Sequence, residues 1–224
     1  MQHSIRTFLF LALLFSLVIA GAHTLAAEQF SRPGSDEVRT IVFFGDSLTA
    51  GYGLDPSQAF PALIQEKVNA RGWKFRAVNA GLSGETTAGG LRRIDWVLQR
   101  PIDVFVLELG ANDGLRGLPV ENAKKNLQTI MDRVRNKYPR VKLLLAGMQV
   151  PTNLGKDYTT RFRAIFPELA NANQAALIPF LLAGVGGVPE LNLPDGIHPT
   201  PAGHKIVAEN VWTVLEPVLR SLQP

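Results

Sequence analysis

Ser47 and His198 have the residue types and surroundings that suit nucleophilic chemistry, as a serine and its base. Ser47 stands in Gly45-Asp46-Ser47-Leu48, directly after the strand-like run Arg39-Thr40-Ile41-Val42-Phe43-Phe44. His198 stands in Asp195-Gly196-Ile197-His198-Pro199, near the other end of the chain. A serine hydroxyl is a poor nucleophile until a neighbouring imidazole can take its proton. The imidazole in turn needs an acceptor that fixes its tautomer and stabilises its cation. The chain has four histidines and no cysteine. His3 and His23 fall in a segment expected to be removed, which leaves His198 and His204. Only His198 has a carboxylate three residues before it, Asp195, in a turn stiffened by Pro194 and Pro199. His204 lies within a predicted final helix and reads as a helix-surface or packing residue.

Residues so far apart in sequence need a fold that brings them together. Apolar strand-like runs at Ile41–Phe44, Phe75–Asn79, Val104–Leu107 (continuing to Leu109), Val141–Ala146 and Ala176–Ile178 alternate with helix-like segments. Phe60 to Ala70 carries Phe60, Leu63, Ile64 and Val68 at helical spacing. Leu91, Ile94, Trp96, Val97 and Leu98 mark a second helix. A third, from Val120 to Tyr138, offers Leu127, Ile130, Met131 and Val134 as its core face. Further helices are expected between Tyr158 and Asn173 and from Pro201 to Leu222. Continuous apolar runs suit strands buried on both faces, as in parallel sheets. Their alternation with helices predicts right-handed crossovers and a three-layer α/β sandwich around a central parallel sheet.

In such sheets, sites form beyond the carboxyl ends of the strands. Ser47 follows the first strand, Gly84 the second and Asn112 the third, within Gly110-Ala111-Asn112-Asp113. Each has a plainer reading: a helix cap for Ser47, a turn glycine for Gly84 and an Asx-turn for Asn112. Asp195 and His198 can likewise be a surface turn entering a helix, with Thr200 as N-cap and Pro201 first in the helix. That helix start also anchors the loop holding His198. Glu108, inside the third strand, reads as a structural polar group without an evident partner.

The N-terminus has the layout of a secretory leader. Arg6 supplies the basic region, Phe8–Ala20 an uncharged apolar run, and Thr24-Leu25-Ala26 a small-residue cleavage site. The run is short for a membrane span, which needs ~20 residues. Residues 1–27 are therefore expected to be cleaved and residues 28–224 to form one domain, exported to the periplasm or beyond it. Glu28 to Glu37 reads as a loose polar lead-in. Without cysteine there is no disulfide framework. The formal net charge of +4 becomes +3 when Arg6 is lost. The basic residues are scattered, Arg92-Arg93 and Lys124-Lys125 being the tightest pairs, which argues against a nucleic-acid partner. Two histidines in the mature chain argue against a histidine-rich metal site, and the chemistry read here needs no cofactor.

Gly45-Asp46-Ser47-Leu48-Thr49-Ala50-Gly51-Tyr52-Gly53, Gly84, Gly110-Ala111-Asn112-Asp113 and Asp195-Gly196-Ile197-His198-Pro199 resemble the four blocks of the SGNH (GDSL) hydrolases, in the family's order. Glu108 to Gly117 resembles the bacterial thioesterase I, lysophospholipase and arylesterase branch, with Ala111 where that branch often has glycine. The resemblance implies a flavodoxin-like fold, with Ser47 as nucleophile, His198 as base and then acid, and Asp195 orienting it. It implies oxyanion donors at the backbone N–H of Ser47, the backbone N–H of Gly84 and the side-chain amide of Asn112. It also implies a small-molecule acyl ester, acyl thioester or lysophospholipid as substrate. Leu115, Leu118, Val150, Leu154, Phe162, Ile165 and Ile197 are candidates to line an acyl pocket, or else pack in the core. The Gly114–Pro119 segment is expected to be a mobile wall of that pocket. Two other readings stay open: a deacetylase of an envelope or extracellular polysaccharide, and a catalytically silent binding module.

Overall fold

The computed structural model describes residues 37–223, through which runs a five-stranded parallel sheet. Its strands are β1 (Arg39–Gly45), β2 (Phe75–Gly81), β3 (Val104–Glu108), β4 (Lys142–Ala146) and β5 (Ala176–Ile178), in the order β2-β1-β3-β4-β5. The chain steps outward from β1 to β2, then reverses to β3, β4 and β5. Right-handed crossovers place the helices made before and after such a reversal on opposite faces. Accordingly α2 (Phe60–Ala70), made before the reversal, packs beside the last helix, α7 (Pro201–Arg220). The other layer is α3 (Thr87–Val97), α5 (Val120–Lys137) and α6 (Lys156–Ala172), packed in succession. This is the expected three-layer sandwich, with the flavodoxin-like strand order.

The central strands explain why the apolar runs are continuous. All five residues of β3 are buried, and so are the last five of β1. Both strands have a neighbour on each side and helices above and below. β2 is an edge strand, half exposed, and runs two residues past the expected Asn79 because its pairing with β1 continues to Gly45 opposite Gly81. On α5 the expected face is buried as a unit: Leu127, Ile130, Met131 and Val134. Each such side chain contributes about 1.5–3 kcal/mol when removed from water. Trp96 departs from its expected place, since it is 69% exposed on α3 while Ile94 takes the core position.

Two short helices were not legible as periodic segments: α1 (Ser47–Ala50) and α4 (Ala111–Leu115). Both follow strand ends on the same edge of the sheet, and both carry candidate residues. The expected leader, residues 1–27, lies outside the described residues, as does nearly all of the lead-in. Among the described residues, no helix is long and apolar enough to cross a membrane.

Candidate active site

β1 delivers the chain to Asp46, which caps α1 by accepting the Leu48 N–H on Oδ1 at 2.9 Å. Ser47 is therefore the first residue of the helix and Asp46 is the cap. The first N–H groups of a helix have no preceding turn to bond to, so the Ser47 N–H is left for another acceptor. The side chain is largely buried, 8% exposed.

The base arrives from the far end of the chain. His198 Nε2 lies 2.9 Å from Ser47 Oγ, and His198 Nδ1 lies 2.7 Å from Asp195 Oδ2. With a proton on Nδ1 donated to Asp195, Nε2 is free to accept the Ser47 hydroxyl. Asp195 Oδ1 also accepts the N–H groups of Ile197 and His198, each at 3.0 Å, which closes a tight turn. The hydrogen bond from His198, helped by the Ile197 N–H, holds the Asp195 carboxyl down to about 2. The turn is tied at both ends: Leu193 N–H donates to the His198 carbonyl at 2.7 Å, and Thr200 N–H to that of Leu191 at 2.8 Å. Thr200 caps α7 by accepting the Gly203 N–H at 3.2 Å, and Pro201 is its first residue, as the sequence predicts. The exposed ring of Tyr52 stands 4.4 Å from the His198 ring, centroid to centroid, inclined by 34°. Tyr52 was not among the expected site residues. Its signal was its place in the Gly45–Gly53 block, five residues after Ser47 and just past the end of α1.

Gly84 and Asn112 meet beside this pair. Gly84 has φ +78°, a left-handed conformation that costs glycine little. Asn112, in α4, donates from Nδ2 to Asp46 Oδ2 at 3.1 Å and to the Glu85 carbonyl at 3.1 Å. Both partners are acceptors, so the nitrogen and not the oxygen of the amide must face them. One bond ties Asn112 to the residue before Ser47, the other to the residue after Gly84. Asp113 holds the two loops together, accepting from Thr87 N–H at 2.7 Å and Thr87 Oγ1 at 2.6 Å. The two Asn112 bonds thus draw the loop of Gly84 and the residue before Ser47 towards one amide. Such an arrangement can hold negative charge on an oxygen formed by attack of the Ser47 hydroxyl.

The candidate pocket residues divide. Leu115, Leu118, Leu154 and Ile197 are exposed and Val150 is half-buried, so all can meet a ligand. Phe162 and Ile165 are 0% and 3% exposed and belong to the core. Phe162 packs against Phe166 with ring centroids 5.5 Å apart, and its ring also lies under Gly114. They are therefore corrected to packing residues, because α6 turns both into the core. Gly114 also differs from expectation. It is helical, and a Cβ there would overlap Val150, so close packing rather than backbone freedom explains the glycine. The segment after it is anchored by Tyr158 Oη, which donates to the Leu118 carbonyl at 2.7 Å, and by Arg116, which donates to the Gly84 carbonyl at 3.1 Å.

His204 is a packing histidine, 1% exposed, whose Nδ1 accepts the Phe60 N–H at 3.1 Å. Burial, and to a lesser degree the charge of His198, push it down from 6.5 to about 4. Between those values the unfolded chain binds a proton that the folded chain refuses. Stability should therefore fall as pH drops from 6.5 towards 4, by on the order of 2–3 kcal/mol. In His204→Asn, Oδ1 can accept the Phe60 N–H but nothing titrates there. Urea unfolding of both proteins across this window should show a shallower slope for the variant. Parallel slopes would remove His204 as the cause.

Comparison with known proteins gives this geometry relatives. Residues 43–206 match the family model described as GDSL-like Lipase/Acylhydrolase family. Esterase TesA of Pseudomonas aeruginosa is 42% identical over 183 residues, 81% of this chain and 90% of that protein. Thioesterase 1/protease 1/lysophospholipase L1 of Escherichia coli is 36% identical over 181 residues, 80% of this chain and 85% of that protein. The solved structure of the psychrotrophic esterase EstA from Pseudoalteromonas sp., inhibited by monoethylphosphonate, superposes with a TM-score of 0.76 at 31% identity. That match covers 81% of this chain and 99% of EstA.

Proposed function

The chain belongs to the GDSL-like lipase/acylhydrolase family and is a carboxylic ester hydrolase; we propose that it is exported and cleaves acyl esters, and with them acyl thioesters and lysophospholipids, through an acyl-Ser47 intermediate. The observation that carries the mechanism is the unbroken series Ser47 Oγ, His198, Asp195, with contacts of 2.9 and 2.7 Å. The basis for export is the leader-like layout of residues 1–27, with the periplasm as the proposed destination.

Ser47 Oγ attacks the substrate carbonyl carbon while His198 Nε2 takes the hydroxyl proton. Asp195 steadies the resulting imidazolium. The carbonyl oxygen becomes an anion and is met by the N–H groups of Ser47 and Gly84 and by the Asn112 amide. In the free enzyme both Asn112 hydrogens have internal acceptors, so binding the oxyanion means sharing one of those bonds. Sharing is most favourable when the new acceptor carries full charge, which is the transition state rather than the ester. His198 then gives its proton to the leaving alcohol or thiol. Water, activated by the same Nε2, attacks the acyl-Ser47 carbonyl and releases the acid.

Leu115, the last residue of α4, and Leu118, three residues on, are exposed, as is Leu154, whose side chain lies against Gly117. Apolar surface there favours a long acyl chain, each buried CH₂ being worth ~0.8 kcal/mol. Rates across an acyl series, with an acetylated sugar included, test the reading. The expected order is medium or long acyl above acetyl, with the acetylated sugar slowest. Replacing Leu115 and Leu118 together by serine should lower kcat/KM about tenfold for a decanoyl ester and about twofold or less for acetyl. Equal losses at both lengths would mean that the leucines serve packing alone. A wild-type preference for the acetylated sugar would favour the deacetylase reading.

A further inference from the structure

Glu108 is a fully buried acid that the reaction above does not use. It ends β3 directly opposite Gly45, at the end of β1, and is 1% exposed. Its Oε2 accepts the Thr49 hydroxyl at 2.7 Å and the Asp46 N–H at 3.1 Å. Those two donors flank Ser47 in the chain, so a single oxygen grips the nucleophile turn on both sides. The site also requires Gly45, because a Cβ there would overlap Glu108 Oε2 and Thr49 Oγ1. The residue held by this oxygen, Asp46, is the one that anchors the Asn112 amide at 3.1 Å.

We infer that Glu108 is a positioning residue for ester hydrolysis: beneath the nucleophile turn it fixes Ser47 and, through Asp46, the amide of Asn112. The inference rests on the reading of Ser47 and Asn112 given above. The two oxygens of Glu108 have different surroundings. Oε2 takes two donors, as a carbonyl oxygen with two lone pairs can. Oε1 is buried without any hydrogen-bond partner, so an ionised carboxylate would leave a charged oxygen unpaired there. Burial, and after it the negative charge of Asp46, push Glu108 well above the usual carboxylate range, against the hydrogen bonds from Thr49 and the Asp46 backbone. Asp46 itself is raised to about 6, chiefly by burial, while the Leu48 N–H, Asn112 and the charge of His198 pull it down. Two adjacent buried carboxyls cannot both ionise cheaply. With the proton on Glu108, one negative charge remains, on the residue that must hold Asn112. A second anion here would oppose the charge that develops on the substrate oxygen.

The test uses Glu108→Gln, which keeps an acceptor oxygen without a charge, and Glu108→Met, which keeps bulk but accepts from neither donor. Each is first compared with wild type by thermal unfolding. The readouts are kcat, KM and the affinity of an alkyl trifluoromethyl ketone, which forms a tetrahedral adduct on serine. Glu108→Met should lose about 10- to 100-fold in kcat with little change in KM, because small displacements of reacting groups are costly. Inhibitor affinity should fall by a similar factor. Glu108→Gln should recover most of both, to within about fivefold of wild type, since it retains the acceptor. The inference fails if Glu108→Met keeps wild-type kcat. It fails too if inhibitor affinity is untouched while kcat drops, the sign of a smaller active fraction. It also fails if Glu108→Gln is as impaired as Glu108→Met, because the ionised carboxylate would then be the working form. Should Glu108→Met not fold, Thr49→Val replaces it by removing one donor to Oε2. Loss of both kcat and inhibitor affinity in that variant supports the inference, and unchanged values overturn it. A wild-type enzyme that the ketone does not inhibit would instead count against Ser47 as nucleophile.

Discussion

Ser47→Ala is expected to give a folded protein whose kcat towards an acyl ester is lower by about 10⁴- to 10⁶-fold. Removing the nucleophile of a comparable triad has an effect of that size, and the oxyanion donors and substrate binding still leave ~10³–10⁴-fold over water. The alanine removes only Oγ from a largely buried position, so α1 and its Asp46 cap should survive. A fluorophosphonate should label the wild-type protein at Ser47 and leave the variant unlabelled. A Ser47→Ala protein with native unfolding behaviour and near-wild-type turnover would send the search for the nucleophile elsewhere.

The second large effect belongs to the base. His198→Ala should fall in the same range, about 10⁴- to 10⁶-fold in kcat, because without Nε2 the hydroxyl has nowhere to send its proton. The more discriminating result is the double variant. If Ser47 and His198 work as one unit, Ser47→Ala with His198→Ala loses no more than either change alone, within a factor of about three. Multiplying losses would show that the 2.9 Å contact is not the catalytic one. His204→Asn serves as the control. It is a buried histidine change in α7 with no contact to Ser47, and its kcat should stay close to wild type.

The sequence disclosed most where one residue's context was enough. β3 reads as a buried strand because Val104, Phe105, Val106 and Leu107 follow one another without a polar break. The dyad was legible because Asp195 and His198 sit in one short turn. What depended on distant partners was hidden. Asp46 caps the nucleophile helix and holds Asn112, yet nothing in its neighbourhood announces a partner 66 positions away. Glu108 could be marked as a lone acid in an apolar run, but its partners Asp46 and Thr49 come from another strand end. α1 and α4 span four and five residues, too few for helical periodicity to register. Phe162 and Ile165 share the chemistry of the exposed Leu115, and only the turn of α6 decides that they face inward. Apolar character specifies that a residue seeks an apolar neighbour; it does not say whether that neighbour is protein or ligand.

The 151 positions between Ser47 and His198 also order events in time. Asp195 and His198 lie three residues apart and can pair as soon as their turn forms. The nucleophile turn needs only β1 and β3. Joining the two halves requires the longest loop closure in the site, completed by a segment near the end of the chain. A ribosome-bound chain that has not yet released this segment holds Ser47 without His198 beside it. On the proposed mechanism, hydrolytic competence therefore arrives last, as a report that the whole sheet has been assembled.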